Sequence, residues 1–146
     1  DASFDVVLSC GVLEHVDEYS QQPGNEVLSL REIRRILKSG GWFPIYQLPQ
    51  RMAWQESITR TLRIGYFHPR RFTANEIRGI LRGTGFQVVQ LKRFNMLPKN
   101  LTGLPMRLRD LYSMLAQPIH VADRVLSTVP IVNRVAGVLE LTARPV

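Results

Sequence analysis

The stretch "SFDVVLSCGVLEHV" (residues 3–16) decides how the chain folds. Phe4, Val6, Val7 and Leu8 form a short apolar run without polar alternation, the pattern of a strand buried on both faces of a parallel sheet. The strand is expected over residues 4–9. Gly11 then permits a tight turn, and an acid and an imidazole, Glu14 and His15, follow at once. After a polar stretch with Pro23-Gly24-Asn25, a helix is expected from near Asn25. Its apolar stripe is Val27, Leu30, Ile33 and Leu37, while Arg31, Glu32, Arg34 and Arg35 lie away from it. Lys38 falls in the last turn, where it complements the helix dipole, and Gly40-Gly41 ends the helix. Trp42 to Leu48 reads as a second buried strand closed by Pro49. Strand, helix and strand in this order form a parallel crossover unit, which is right-handed by strong precedent.

Farther along, residues 50–72 are less regular, and "GYFHPRRF" (65–72) reads as a loop. Thr73, with Glu76 three residues on, makes a capping box. It opens a helix with Ile77, Ile80 and Leu81 on one face, stopped by Gly83 and Gly85. Phe86 to Leu91 is a third strand. From Leu104 to Val129 the pattern is helical again, broken by Pro105, Pro118 and Pro130, and "GVLELTA" (137–143) is a last strand. The class is therefore α/β.

The bulk numbers exclude several functions. A length of 146 residues with 45% apolar content suits one globular domain. No uncharged apolar run approaches the roughly 18 residues a membrane span needs, and there is no basic-then-apolar start of the secretory kind. Cys10 is the only cysteine, so no disulfide framework or cysteine-rich metal site is available, which fits a reducing, cytoplasmic setting. The Asn-x-Thr sequon at Asn100 is then chance. Formal charge is +7, unevenly spread. The first thirty residues hold Asp1, Asp5, Glu14, Asp17, Glu18 and Glu26 and no Lys or Arg; everything basic starts at Arg31. Such a surface attracts nucleic acid, anionic lipid or a phosphorylated substrate, or it balances an acidic half of the same protein. Nucleic-acid binding further needs clustered basic residues with exposed aromatics, and neither stands out.

Four segments together, "DASFDVVLSCGVLEHV", "LREIRRILKSGGWFPI", "FTANEIRGILRGTGFQVV" and "LELTARP", resemble class I S-adenosylmethionine-dependent methyltransferases. The small-molecule and lipid methyltransferases are the nearest in kind. The resemblance implies a Rossmann-like sheet of strand order 3-2-1-4-5-7-6 in which "SFDVV" is strand four. The four strands of this chain would then be neighbours in the order 4-5-7-6. The half of such a fold with the glycine-rich cofactor loop and the ribose-binding acid would precede Asp1. Residues 1–146 would be the C-terminal portion of one methyltransferase domain, with a helical cap at about 101–133, inactive alone. The strand-four edge would be open, and an apolar unpaired edge invites self-association. The implied function is methyl transfer from S-adenosyl-L-methionine to a small-molecule or lipid-like acceptor. The other readings are a non-catalytic binding remnant of the same fold and, behind it, a nucleic-acid methyltransferase.

Ligands in open α/β sheets sit beyond the carboxyl ends of the strands, which places Ser9, Cys10, Gly11 and Val12 at the rim. By resemblance these residues, with Glu14, pass the methionine end of the cofactor, and Gly11 is small because backbone and ligand approach closely. His15 could take a proton from a hydroxyl acceptor. Some quinone-pathway relatives hold a divalent metal here with a richer acidic cluster. Cys10-Gly11-Val12-Leu13 adds no carboxylate, so no metal is expected. The plainer readings are a turn glycine, a core-filling Cys10, a packing histidine, and a helix-start charge at Glu14. Tyr46, Gln47, Arg51 and Trp54 lie where acceptor-binding segments sit in the family, and a tryptophan near an arginine can frame an aromatic or anionic acceptor. A core tryptophan and a solvated arginine explain the same letters. His68 reads as a loop residue, and Arg70 and Arg71 as solvated. In "LPMRLRDLYSMLAQPIHVADRVLSTVP" (104–130), Met106, Leu108, Leu111, Leu115, Val125 and Leu126 share a side. Arg107, Arg109 and Arg124 could meet an anionic membrane surface peripherally; alternatively the stripe packs as a cap over the acceptor pocket.

Overall fold

The structure, a computed structural model, describes residues 1–18, 23–63, 67–98 and 105–146. The opening apolar run forms two short strands, β1 (Phe4–Val6) and β2 (Ser9–Cys10). Both run parallel to β3 (Leu37–Pro49), with Phe4 opposite Leu37, Val6 opposite Trp42 and Cys10 opposite Tyr46. The crossover between them is helix α1 (Asn25–Ile36). The helix ends four residues before the glycine pair at which the sequence places its stop. The Ala2 and Ser3 amides donate to the Arg35 and Ile36 carbonyls at 2.9 and 2.8 Å, so strand pairing consumes the last helical acceptors and Leu37 turns extended. Lys38 consequently lies in β3 and pairs with Asp5 at 2.9 Å instead of capping the helix.

Gly40 and Gly41 fall where β1 and β3 slip in register. A Cβ on Gly41 would lie 2.7 Å from Leu37 Cδ2 and 3.0 and 3.1 Å from the carbonyl oxygens of Lys38 and Asp5. The two backbone atoms cannot yield without parting the strands. Gly41→Ala is expected to cost about 1–3 kcal/mol, the range for forcing atoms into a filled site, read as a lower denaturant midpoint. Gly40→Ala, with nothing near its Cβ position, should leave the midpoint almost unchanged.

The remaining strands are β4 (Phe86–Phe94) and β5 (Val138–Pro145), and the sheet order is β1-β3-β5-β4 with β2 also on β3. In family terms this is the neighbour set 4-5-7-6. β5 pairs antiparallel with β3, Phe43 opposite Ala143 and Pro49 opposite Val138. Two helices meet this sheet's core: Leu30 from α1, and Ile77 and Leu81 from α3 (Ala74–Gly83), pack with Phe43, Ile45 and Phe86. The capping box at α3 is formed as its letters imply: the Glu76 amide donates to Thr73 Oγ1 at 3.1 Å, and the Thr73 amide to Glu76 Oε2 at 3.4 Å.

One expectation fails outright. Phe4, Val6 and Leu8 are 52%, 53% and 59% exposed rather than buried on both faces. Among the described residues β1 pairs only with β3, so it is the outermost strand. Its apolar character fits an interior strand, but nothing in the described chain covers it.

Contacts divide the chain into two compact units. The first contains Asp1–Arg51, His68–Lys92 and Val138–Val146, and with them the sheet core; the second contains Met52–Phe67 and Arg93–Gly137. In the second unit the expected irregular stretch carries a helix, α2 (Trp54–Leu62), none of whose residues is buried. Helices α4 (Met106–Met114) and α5 (Ala116–Thr128) and a short 3-10 turn (Val132–Val135) follow. Pro118 does not break α5: it sits in the first turn, whose amide hydrogens have no intrahelical acceptor. α5 is inverted relative to an ordinary surface helix. Asp123 and Ser127 are its buried residues, Asp123 accepting the Leu97 amide at 2.9 Å, while Val121 and Val125 are 62% and 58% exposed. Of the apolar stripe, Met106, Leu108, Leu111 and Val125 are exposed. The Asn100 sequon and the first residues of the expected cap lie outside the described residues.

Candidate functional site

At the carboxyl end of β2 the chain reverses through a succession of turns. The Gly11 amide donates to the Tyr46 carbonyl at 3.1 Å, and Gly11 adopts φ +61°, in the left-handed region where a side chain is strained. The His15 amide then closes on the Val12 carbonyl at 2.9 Å and the Glu18 amide on the His15 carbonyl at 3.1 Å, so residues 12–18 are turns and not the start of a helix. Leu13 is buried in the core cluster, which fixes the turn and forces its neighbours to opposite sides: Val12 out, Glu14 in. Ser9 is buried, whereas Cys10 is exposed and its thiol free. The core-filling reading of Cys10 is thus incorrect, because β2 turns that side chain away from the core.

Glu14 is the unusual residue. It is only 2% exposed, its Oε1 lies 3.9 Å from His15 Nε2, and its buried Oε2 has no hydrogen-bond partner. Burial pushes its carboxyl up from the ordinary carboxylate value. A hydrogen bond from its own backbone amide and the nearby His15 and His68 pull it partly back. His15 Nδ1 lies 2.6 Å from Glu18 Oε1. A carboxylate can only accept, so this bond puts the proton on Nδ1 and leaves the Nε2 lone pair toward Glu14. His68 arrives from far along the chain, its ring centroid 5.7 Å from that of His15.

A carboxyl with a raised pKa in the fold favours the folded state while protonated. That contribution is complete below the unfolded value near 4.5 and is lost as pH rises through the higher folded value. In the presence of a chelator, Glu14→Gln is therefore expected to be more stable than the parent at pH 7 by about 1 kcal/mol or more, the scale of an unsatisfied buried polar group. The advantage should vanish near pH 4, and melting temperatures measured across that range check it. Parallel curves for the two proteins would rule it out.

Of the acceptor-side residues, Tyr46 is exposed opposite Cys10 in the β2–β3 pair. Gln47 follows at φ +58°, inside the irregular pairing between Ile45 and Leu48. A non-glycine residue held there marks strain that a functional site commonly retains. Arg51 is engaged elsewhere: its guanidinium binds Glu76 Oε2 at 2.7 Å. Trp54 belongs to the second unit, where its indole N–H donates to the Met96 carbonyl at 2.8 Å. Arg70 is not a solvated side chain. It binds Glu26 at 2.7 Å and Glu76 at 3.0 Å and stacks 4.5 Å over Phe72. Because the buried Glu26 of α1 needs a counter-charge, this arginine is drawn inward. Nothing in the letters around His68 signals its place beside His15; only the fold brings the two together.

A parallel crossover unit extended by an antiparallel strand, with the order β1-β3-β5-β4, is the arrangement of one side of the class I methyltransferase fold. Residues 1–45 match the family described as methyltransferase domain. No curated protein matches. Among solved structures, the chain is similar to an Archaeoglobus fulgidus SAM-dependent methyltransferase, at 14% identity with a TM-score of 0.55, over 99% of this chain and 60% of that one. It is similar also to a Haloferax volcanii methyltransferase solved with the Trm112 methyltransferase activator, at 21% identity and 0.54, over 99% and 54%. A third is the [4+2]-cyclase SpnF, at 18% and 0.52, over 99% and 52%. The chain thus spans little more than half the length of these structures. S-adenosyl-L-methionine is the cofactor that family and fold imply. The rim leaves room for a ligand: Gly11 sits in the left-handed region that side chains adopt rarely, and Cys10 and Val12 beside it are exposed.

Proposed function

We propose that the protein containing this chain transfers a methyl group from S-adenosyl-L-methionine to a small or lipid-like hydroxyl acceptor. The observation that supports this most is the Glu14–His15 turn at the carboxyl end of β2, inside the segment matching the methyltransferase domain. The cofactor supplies an electrophilic methyl carbon; the acceptor oxygen forms the new bond to it as the carbon–sulfur bond breaks. Ser9, Cys10, Gly11, Val12 and Glu14 hold the methionine end. His15 Nε2 takes the acceptor's proton, and Glu18 on Nδ1 keeps the imidazole in the tautomer that can do so. Tyr46 and Gln47 face the acceptor. Arg51 is held on Glu76 and Trp54 belongs to the second unit, so neither is assigned to the acceptor.

The test is calorimetry with S-adenosyl-L-methionine on the full-length protein, followed by methyl-transfer assays on hydroxyl acceptors of increasing chain length. Absence of cofactor binding would end the reading. Binding without transfer to any acceptor would favour the non-catalytic alternative, since one fold hosts different functions.

A lipid-like acceptor or peripheral membrane contact is favoured by one feature, the outward apolar residues of α4 and α5 beside Arg107 and Arg124. No helix among the described residues is long and apolar enough to cross a membrane. Sedimentation with anionic but not neutral vesicles is the expected result. The exposed edge at Phe4, Val6 and Leu8 is a place for a further strand, of this protein or of a second copy.

A further inference from the structure

Glu14, His15 and His68 present one donor atom each, and the three atoms lie within 4.8 Å of one another. We propose that they form a binding site for a single borderline divalent transition metal of the zinc or cobalt kind. Three observations carry it. The first is the separation of the donors. A tetrahedral ion with bonds of about 2.0–2.1 Å holds its ligand atoms about 3.4 Å apart, and Glu14 Oε1 and His15 Nε2 already stand at 3.9 Å. Closing the set takes side-chain adjustments of about an ångström or less on the outer pair.

The second is the buried carboxylate. Glu14 is almost wholly enclosed and its Oε2 has no protein partner. A buried carboxylate with an oxygen that has nothing to accept from is costly, and a cation bound through the other oxygen would neutralise the buried charge. The third is the orientation of His15. Its Nδ1 is anchored on the Glu18 carboxylate at 2.6 Å, which aims the other ring nitrogen at the cluster. A carboxylate behind a ligating imidazole is the usual support of a metal-bound histidine.

The donor set also selects the ion. Two imidazoles and one carboxylate suit zinc or cobalt, whereas magnesium and calcium require mostly oxygen ligands. Three protein ligands leave a fourth position open, the arrangement of reactive rather than structural sites. An ion there occupies the Nε2 lone pair, so a hydroxyl acceptor would be polarised by the ion in place of the free imidazole. Binding itself does not depend on methyl transfer, and it is measured without cofactor.

The experiment is a cobalt(II) titration of the full-length, chelator-treated protein followed by visible absorption. One equivalent should produce the intense band of a four-coordinate ion, displaced by one equivalent of zinc and not by excess magnesium. His68→Ala should abolish the band, His68→Gln should weaken it at least tenfold in affinity, and His120→Ala, at an exposed histidine of α5, should leave it intact. Circular dichroism confirms folding of each variant. A band that survives both His68 changes, one lost equally in His120→Ala, or no one-equivalent band in the parent overturns the proposal. A negative result here with cofactor binding intact leaves the methyltransferase reading standing.

Discussion

His15→Ala is expected to slow methyl transfer by about 10²–10⁴-fold, the range for loss of a positioned proton acceptor, with cofactor affinity nearly unchanged. The argument is geometric. His15 Nδ1 is tied to the Glu18 carboxylate, leaving Nε2 to accept. Glu18→Gln should reproduce part of the loss, because a carboxamide can present either a donor or an acceptor and no longer fixes the tautomer. Turnover under single-cycle conditions, with the dissociation constant of S-adenosyl-L-methionine measured alongside, separates the cases. If His15→Ala lowers cofactor affinity and leaves the rate constant alone, the histidine is a binding residue and the assignment of the proton step is wrong.

Arg70→Ala should be the most damaging single change to an ion pair in the sheet-bearing unit, at about 3 kcal/mol. The estimate sits at the lower end of the 3–5 kcal/mol cost of stranding one member of a buried pair, because the arginine side chain is 32% exposed while Glu26 is only 7% exposed. The loss is not simply a missing contact. Glu26 would be left charged in the core side of α1, and the ring of Phe72 would lose its cation. Arg51→Ala provides the comparison. It removes a 2.7 Å pair with the same Glu76, but at an exposed site where such pairs are worth about 0–1 kcal/mol. Urea denaturation of both variants reads the difference; equal losses would mean that Arg70 is an ordinary surface cation.

The local elements were written in the chain because each is enforced by neighbours in sequence. The stripe Leu30 and Ile33, the capping box Thr73–Glu76 and the glycine after Ser9-Cys10 need no distant partner to declare themselves. The full strand order came only through the resemblance to the methyltransferase fold, whereas the single parallel crossover followed from the succession of elements. Boundaries set by pairing across the chain did not. The end of α1 moved because Ala2 and Ser3 claim its last carbonyls, and α2 opens at Ala53 without a side-chain cap to announce it.

Burial and side-chain company are properties of the assembled fold, and there the letters misled most. Phe4, Val6 and Leu8 look interior and stand exposed; Asp123 and Ser127 look like surface residues and are enclosed. The Glu14–His15 pair is adjacent in sequence and so was visible from the start, but His68 reaches it from a loop 53 positions beyond His15. The sequence by itself determined an α/β crossover with a polar turn at a strand's carboxyl end, because periodicity and turn chemistry act over a few residues. Only the tertiary structure decided which charges are buried and which imidazoles meet. Those depend on contacts whose sequence separation leaves no local trace.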